Sequence, residues 1–266
     1  MQRGNHGVRE YAAYCFDLDG TVYVGDEPVP GAKRTIDELR RQGKKIRFLT
    51  NSSVHTRLDC KRRLQRLGVD CEEEEVLTAL HLSGQYFREQ APQASVFLVG
   101  EEAMRAQMEL SGVAVARAPE HATHVLVGMD RALTYEKLRL GMLAVRAGAR
   151  LIAVNPDPVC PVPRGWIPDT WTMVRALETA SGAVAELVIG KPSRYYANQA
   201  LRGLGLPPEQ CLMVGDRLET DIALGTQSGM ATALVLTGVT ALAELAHSGL
   251  RPTYVLRDMT ELVGHF

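Results

Sequence analysis

Two aspartates two residues apart, Asp17 and Asp19 in Asp17-Leu18-Asp19-Gly20-Thr21, follow a short apolar run. Residues i and i+2 of an extended strand share a face, so both carboxylates can address one reacting atom, one attacking while the other manages protons. Three further polar clusters close apolar runs later in the chain: Thr50-Asn51, Gly190-Lys191-Pro192, and Gly215-Asp216 with Asp221 after it. Gathered carboxylates repel one another unless a hard cation sits among them, and oxygen donors suit Mg²⁺ better than zinc or copper. A lysine and the Thr50 hydroxyl suit a phosphate. The chemistry such a set could do is phosphoryl transfer. Asp17 would accept the phosphoryl group, and Asp19 would protonate the departing oxygen and then activate water. Mg²⁺, Lys191 and the backbone N–H groups of the Gly20 turn would meet the spread charge.

These groups need strands that end together. Tyr14-Cys15-Phe16 reads as a short buried strand breaking into the Asp17 turn. Ala32, Ile36 and Leu39 recur at helical spacing before Gly43, and Lys45 to Leu49 reads as a strand ending at Thr50-Asn51, which completes a β-α-β unit. Leu58, Leu64 and Leu67 predict a helix closed by Gly68, and Cys71 to Gln90 reads as helical behind the acidic run Glu72 to Glu75. A second alternation follows, with strands Ser95 to Val99, Val113 to Ala116, Thr123 to Val127 and Arg150 to Val154 around helices Glu101 to Leu110 and Thr134 to Ala147. A proline-rich loop, Pro156 to Pro168, leads into a helix around Thr172 to Thr179. The first pattern then resumes with strand Leu187 to Ile189, helix Tyr195 to Arg202, strand Cys211 to Val214, a helix near Asp221 to Gln227 and strand Thr232 to Leu236. The expected fold is α/β: a doubly wound parallel-sheet, Rossmann-like core at 1–80 and 186–266 interrupted by an α/β domain at 81–185. Ligands of such a sheet bind beyond the carboxyl ends of its strands, where the four polar clusters can converge.

Taken in order and with their spacing, Asp17-Leu18-Asp19-Gly20-Thr21, Thr50-Asn51, Gly190-Lys191-Pro192 and Gly215-Asp216-Arg217-Leu218-Glu219-Thr220-Asp221 resemble the four motifs of the haloacid dehalogenase superfamily. The long insertion, with Val127-Gly128-Met129-Asp130 followed by Thr134-Tyr135-Glu136-Lys137-Leu138, looks like the NagD and p-nitrophenyl-phosphatase-like branch with its type II α/β cap. The resemblance implies a Mg²⁺-dependent phosphoric monoester hydrolase acting on a small phosphorylated metabolite through an aspartyl-phosphate. It implies Asp17 as nucleophile and metal ligand, Asp19 as general acid/base offering its backbone carbonyl to the metal, and Asp216 as another ligand. Asp221 would orient a metal-bound water or Lys191. Gly20, Thr50 and Asn51 would hold phosphoryl oxygens, and Lys191 would pair with nucleophile and phosphate. Asn155 and Asp157 match a stretch at the base of the cap, and with Arg164, Trp166 and Trp171 they are the candidate specificity residues. Two departures stand out. Ser52 follows Thr50-Asn51 where relatives commonly have a second Asn, and Pro168-Asp169-Thr170-Trp171 replaces a Pro-Gly-x-Gly segment, so no relative's substrate transfers directly. Similar caps often present dimer surfaces, which makes a homodimer through the cap the oligomeric form to test.

Composition narrows the alternatives. The 30 Lys and Arg nearly cancel the 31 Asp and Glu, so overall charge announces neither a nucleic-acid nor a membrane partner. Five scattered cysteines without C-x-x-C spacing argue against a disulfide framework and a zinc site, and they fit the reducing cytoplasm. Neither an apolar leader nor a run of about 18 apolar residues is present. Gly190-Lys191-Pro192 lacks the upstream glycine and the hydroxyl residue of a phosphate-binding Walker loop. Gly203-Leu204-Gly205 closes a helix, so it is not read as a dinucleotide turn. His121 and His124 have metal-like spacing but no third ligand nearby, and they read as a solvated loop. The rivals are phosphoryl transfer to a second acceptor and, from another class, a phospho-aspartate signalling module. A receiver of that kind needs no proton donor at position 19.

Overall fold

The computed structural model describes residues 8–162 and 165–263, so Arg164 lies outside the described residues. The chain runs through β1 (Ala13–Asp17), the ribbon β2 (Tyr23–Val24) and β3 (Glu27–Pro28), α1 (Ala32–Arg41), β4 (Lys45–Thr50), α2 (Arg57–Arg66), β5 (Val76–Thr78) and α3 (Ala79–Gln90). It continues with β6 (Ser95–Val99), α4 (Glu102–Leu110), β7 (Ala114–Val115), β8 (His124–Val127), α5 (Tyr135–Arg146), β9 (Arg150–Ala153), β10 (Val159–Val162), β11 (Gly165–Pro168), α6 (Thr170–Ser181) and β12 (Leu187–Val188). It closes with α7 (Arg194–Leu204), β13 (Cys211–Gly215), α8 (Ala223–Ser228), β14 (Ala231–Val235), α9 (Leu242–His247) and β15 (Tyr254–Leu256).

Two compact units result: Met1–Leu49 with Lys61–Val76 and Ala197–Phe266, and Thr50–Cys60 with Leu77–Tyr196. The six-stranded sheet has the order β15-β14-β13-β1-β4-β5. β1 pairs in parallel with β13 on one side and β4 on the other, so the chain leaves it in both directions, as a doubly wound sheet does. Every residue of β1 and of β13 is buried, in keeping with apolar runs too short for helices. Phe16 stands opposite Val214, which brings Asp17 level with Gly215 and one step short of Asp216.

The second unit holds a parallel sheet of order β12-β9-β8-β6-β7. Alternate residues of its strands, Phe97, Val99, Val125, Val127, Leu151 and Ala153, build one core with Ala144 and Val145 of α5 and Met173, Val174 and Leu177 of α6. Gly141 lets α5 lie close: a Cβ there would sit 3.1 Å from both Leu177 and Val99. The sequence reading drew the seam at 80/81 and 185/186, whereas by contacts Thr50–Cys60 and the chain from Leu77 to Tyr196 hold together. The reason is visible in the pairing: β12, expected with the first sheet, lies beside β9 with Leu187 opposite Ile152, and Met129 N–H reaches Ser53 Oγ.

Three expectations are corrected. The predicted helix from Cys71 begins only at Ala79, because Val76-Leu77-Thr78 is a fully buried strand and Thr78 caps α3 through His81 N–H. The proline-rich loop is in part an antiparallel ribbon, β10 with β11. A two-stranded ribbon leaves one edge of each strand unpaired, and prolines fit there. His124 is no solvated loop residue. It opens β8, 8% exposed, with its ring edge-on to Phe87 and its Nδ1 2.8 Å from Thr123 Oγ1. Gly203, set aside as a dinucleotide signal, has a packing role, since a Cβ there would overlap the Arg47 guanidinium that bonds Gln199 O and Ala200 O.

A pH dependence follows from α3. Burial, with Arg57 and Arg88 adding repulsion, lowers the His81 pKa from 6.5 to about 4. The unfolded chain therefore takes up the proton first. The stability is complete above about pH 6.5 and is lost as pH falls towards about 4. With a half-buried ring the loss should be about 1–2 kcal/mol at pH 5. Thermal melts at pH 7 and pH 5 should show a drop in Tm that is smaller in His81→Gln. An equal drop in both proteins would exclude His81 as its source.

Candidate active site

In the first unit β1 delivers Asp17 at its last position, 7% exposed. The chain then turns tightly: Gly20 N–H donates to Tyr23 O, and Val22 and Tyr23 N–H donate to Leu18 O. Gly20 holds φ at +96°, a left-handed conformation that a side chain would strain, and a Cβ there would stand 2.4 Å from Asp216 Oδ2. Asp19 lies on this turn with its side chain 43% exposed, 3.9 Å from Arg63 Nη1. The Arg63 guanidinium lies over the Tyr23 ring at 4.3 Å and reaches Asp26 at 3.6 Å, which ties α2 to the β2–β3 ribbon.

β13 delivers Asp216, fully buried, one residue beyond Gly215. The chain next makes a wide π turn, Leu218–Ile222, that returns Asp221 towards the strand end, where its Oδ2 accepts Arg217 N–H at 3.1 Å. Gly215 is required there, because a Cβ would fall 2.3 Å from the Asp221 carboxyl carbon. Asp17, Asp216 and Asp221 each present a carboxylate oxygen within 4.8 Å of the others, all three residues buried. Three desolvated like charges at that range cost energy that a hard divalent cation removes, and an all-oxygen donor set fits Mg²⁺. Residue type and spacing alone do not single out Arg63 or the segment after β14, where Thr237 Oγ1 donates to Gly20 O and Val239 N–H donates to Asp216 Oδ2. The signal was present, since Thr237 lies just past the carboxyl end of a predicted strand of the same sheet.

In the second unit Thr50 and Asn51 are 4% and 9% exposed. The Asn51 side chain is fully engaged: its Nδ2 donates to Asp157 Oδ2 at 2.9 Å and to Lys191 O at 3.2 Å, and its Oδ1 accepts Lys191 N–H at 2.7 Å. Asn155 Nδ2 donates to Asn51 O, and Asn155 Oδ1 accepts Asp157 N–H. Gly190 permits this closeness, for a Cβ there would meet Asn51 Oδ1 at 2.6 Å. Tyr196, fully buried, donates from its hydroxyl to Leu77 O at 2.7 Å and lies 3.2 Å from Thr50 O. Lys191 is 1% exposed. Asn155 and Asp157, expected at the base of the cap, thus brace the Asn51-Lys191 pairing. Trp171 is half-buried against the core of this unit, and its main-chain N–H donates to Asp157 O. Trp166, on β11, is 56% exposed.

Comparison with known proteins adds a second line. Residues 14–114 match the family of haloacid dehalogenase-like hydrolases and residues 188–262 match an HAD-hydrolase-like family. The chain is 36% identical over 256 residues to an acid sugar phosphatase of Staphylococcus aureus strain MRSA252, covering 96% of this chain and 98% of that protein. Among solved structures, a p-nitrophenyl phosphatase from Archaeoglobus fulgidus superposes with a TM-score of 0.89 at 32% identity, over 96% of this chain and 99% of the other. NagD from E. coli K-12 superposes with a TM-score of 0.85 at 28% identity, over 95% and 98%.

Proposed function

The chain belongs to the haloacid dehalogenase-like hydrolases, in the branch of NagD and the p-nitrophenyl phosphatases, and is a phosphoric monoester hydrolase; from this we propose that it cleaves small phosphorylated metabolites, sugar phosphates among them, through an aspartyl-phosphate on Asp17. The observation that carries the reading is the buried trio Asp17, Asp216 and Asp221, gathered where an oxygen-binding cation would sit. When bound, Mg²⁺ would supply charge neutralisation at the transferring phosphoryl oxygens. The carboxylates of Asp17 and Asp216, with the Asp19 carbonyl, would hold it, and Asp221 would orient a water or Lys191.

An Asp17 carboxylate oxygen attacks phosphorus as the ester P–O bond breaks, and Asp19 gives its proton to the departing alkoxide. Asp19, now a carboxylate, takes a proton from water. The water oxygen attacks phosphorus, the bond to Asp17 breaks, and inorganic phosphate leaves with Asp17 restored. Thr50, Lys191 and the Gly20 turn hold the phosphoryl oxygens. Asn51 contributes its main-chain N–H, since its side-chain amide is committed to Asp157 and Lys191.

In this reading 1–80 and 186–266 form the catalytic core and 81–185 the cap, and Trp166 and Trp171 read the leaving group. Asn155 and Asp157 act as braces. A homodimer through the cap and a cytoplasmic setting belong to the same proposal. The five cysteines, all outside disulfides, support the latter. No helix among the described residues is long and apolar enough to cross a membrane.

The test is steady-state phosphate release from p-nitrophenyl phosphate and a panel of sugar phosphates, nucleotides and other metabolite monoesters, with Mg²⁺ and with chelator. Turnover should fall at least tenfold on chelation and return on adding Mg²⁺. Undiminished turnover in chelator would reject the cation role, and failure to release phosphate from any ester would reject the hydrolase.

A further inference from the structure

The four residues after β14 and Leu236, Thr237-Gly238-Val239-Thr240, fall outside the motifs that led to the site, yet each touches it. Thr237 Oγ1 donates to Gly20 O at 2.7 Å. Val239 N–H donates to Asp216 Oδ2 at 2.6 Å, and Thr240 N–H donates to the Asp216 carbonyl at 3.2 Å. Gly238 leaves the space between these contacts open: a Cβ there would stand 2.0 Å from Asp216 Oδ2 and 2.4 Å from its Cγ. Gly20 approaches the same oxygen from the other strand end, where a Cβ would lie at 2.4 Å. The carboxylate is thus held between two glycines, with a backbone N–H on one of its oxygens.

A carboxylate in that position faces two others within 4.8 Å, and electrostatic repulsion drives it to rotate away whenever no cation is bound. A close N–H donor on a charged oxygen opposes that rotation. We propose that residues 237–240 are a positioning strap of the cation site: they fix the Asp216 side chain and couple it, through Thr237 and Gly20, to the turn that carries Asp19. The strap sets cation affinity through Asp216 and turnover through the Asp19 turn. This rests on the reading of Asp17 and Asp216, with Asp221 beside them, as the cation site. It differs from the ordinary role of a loop that ends a strand, because such a loop would govern folding and leave cation affinity alone.

The experiment is calorimetric titration with Mg²⁺ of the parent, Asp216→Asn, Gly238→Ala, Thr237→Val and Thr237→Ser, together with kcat at saturating Mg²⁺ and metal-free thermal melts. Supporting groups around metal ligands typically set affinity by about 10–100-fold, so Gly238→Ala should weaken Mg²⁺ binding by about that factor. Thr237→Val, which keeps the volume and removes the donor, should lower kcat about 3–10-fold, and Thr237→Ser should restore it. A folded Gly238→Ala that binds Mg²⁺ as tightly as the parent overturns the strap. Should Gly238→Ala not fold, an unchanged kcat in Thr237→Val overturns it instead. If the parent binds no Mg²⁺, or Asp216→Asn binds it as the parent does, the cation reading itself has failed, an outcome separable from failure of the strap alone.

Discussion

Replacing Asp17 by Asn should lower kcat about 10⁴- to 10⁶-fold, the scale seen when a nucleophile that works as part of a unit is removed. The substitution keeps shape and removes one charge. Asp17 closes a strand whose five residues are all buried, the first four paired on both sides and Asp17 paired with Leu49 of β4, so the backbone has no reason to move. Each charged pair in the trio repels by about 3 kcal/mol at an effective dielectric near 20. Without metal, Asp17→Asn should therefore melt higher than the parent while being inactive. A catalytic group and a merely structural one differ in that pairing of outcomes, because loss of a structural carboxylate lowers Tm and activity together. Steady-state kinetics with metal-free calorimetry give both readouts. Substantial turnover in Asp17→Asn with Mg²⁺ would end the covalent mechanism.

Lys191→Met should lower kcat about 10²- to 10³-fold, with Mg²⁺ binding close to the parent's. Asn51 holds Lys191 by its main chain on both sides, accepting its N–H and donating to its carbonyl. Removal of the side-chain charge therefore leaves the loop in place, and the loss falls on the phosphoryl charge that the ammonium would meet. Lys191→Arg should recover little. Lys191 is 1% exposed, and packing that close leaves little room for a larger planar guanidinium. Comparison of kcat and KM for the three proteins on p-nitrophenyl phosphate checks this, and a kcat within tenfold of the parent for Lys191→Met would remove the lysine from the mechanism.

The chemistry was legible early because its residues stand at the ends of short apolar runs, and such runs announce themselves as buried strands. Asp17 after Tyr14-Cys15-Phe16 and Asp216 after the Cys211 strand are found where that reading put them, at the carboxyl ends of neighbouring parallel strands. β5 was missed because three residues between an acidic turn and a helix carry no periodicity of their own; burial alone makes Val76–Thr78 a strand. The β10–β11 ribbon was missed for a related reason. Its prolines punctuate the sequence as a loop, and pairing shows only when Val159 is seen opposite Pro168. His124 looked like a polar residue in a loop and proved to be a neighbour of Phe87 in the folded chain.

By itself the sequence determined which groups are the candidates for the proposed chemistry. Carboxylates, a lysine and a hydroxyl at strand ends are a local pattern, and residue type with spacing is enough to name Asp17, Asp19, Thr50, Lys191 and Asp216. Only the tertiary structure decided what holds them. Asp221 returns to Asp216 because a π turn shortens the path and Gly215 leaves the space. Asn51 is committed to Asp157 and Lys191, residues 106 and 140 positions away, and Asp216 is bonded by Val239, 23 positions on. Those partners are main-chain groups or side chains distant in sequence, and hydrogen bonds to a backbone N–H leave no mark on residue identity. The spacing of a motif therefore nominates the reacting groups, whereas their support becomes visible only once the chain has folded.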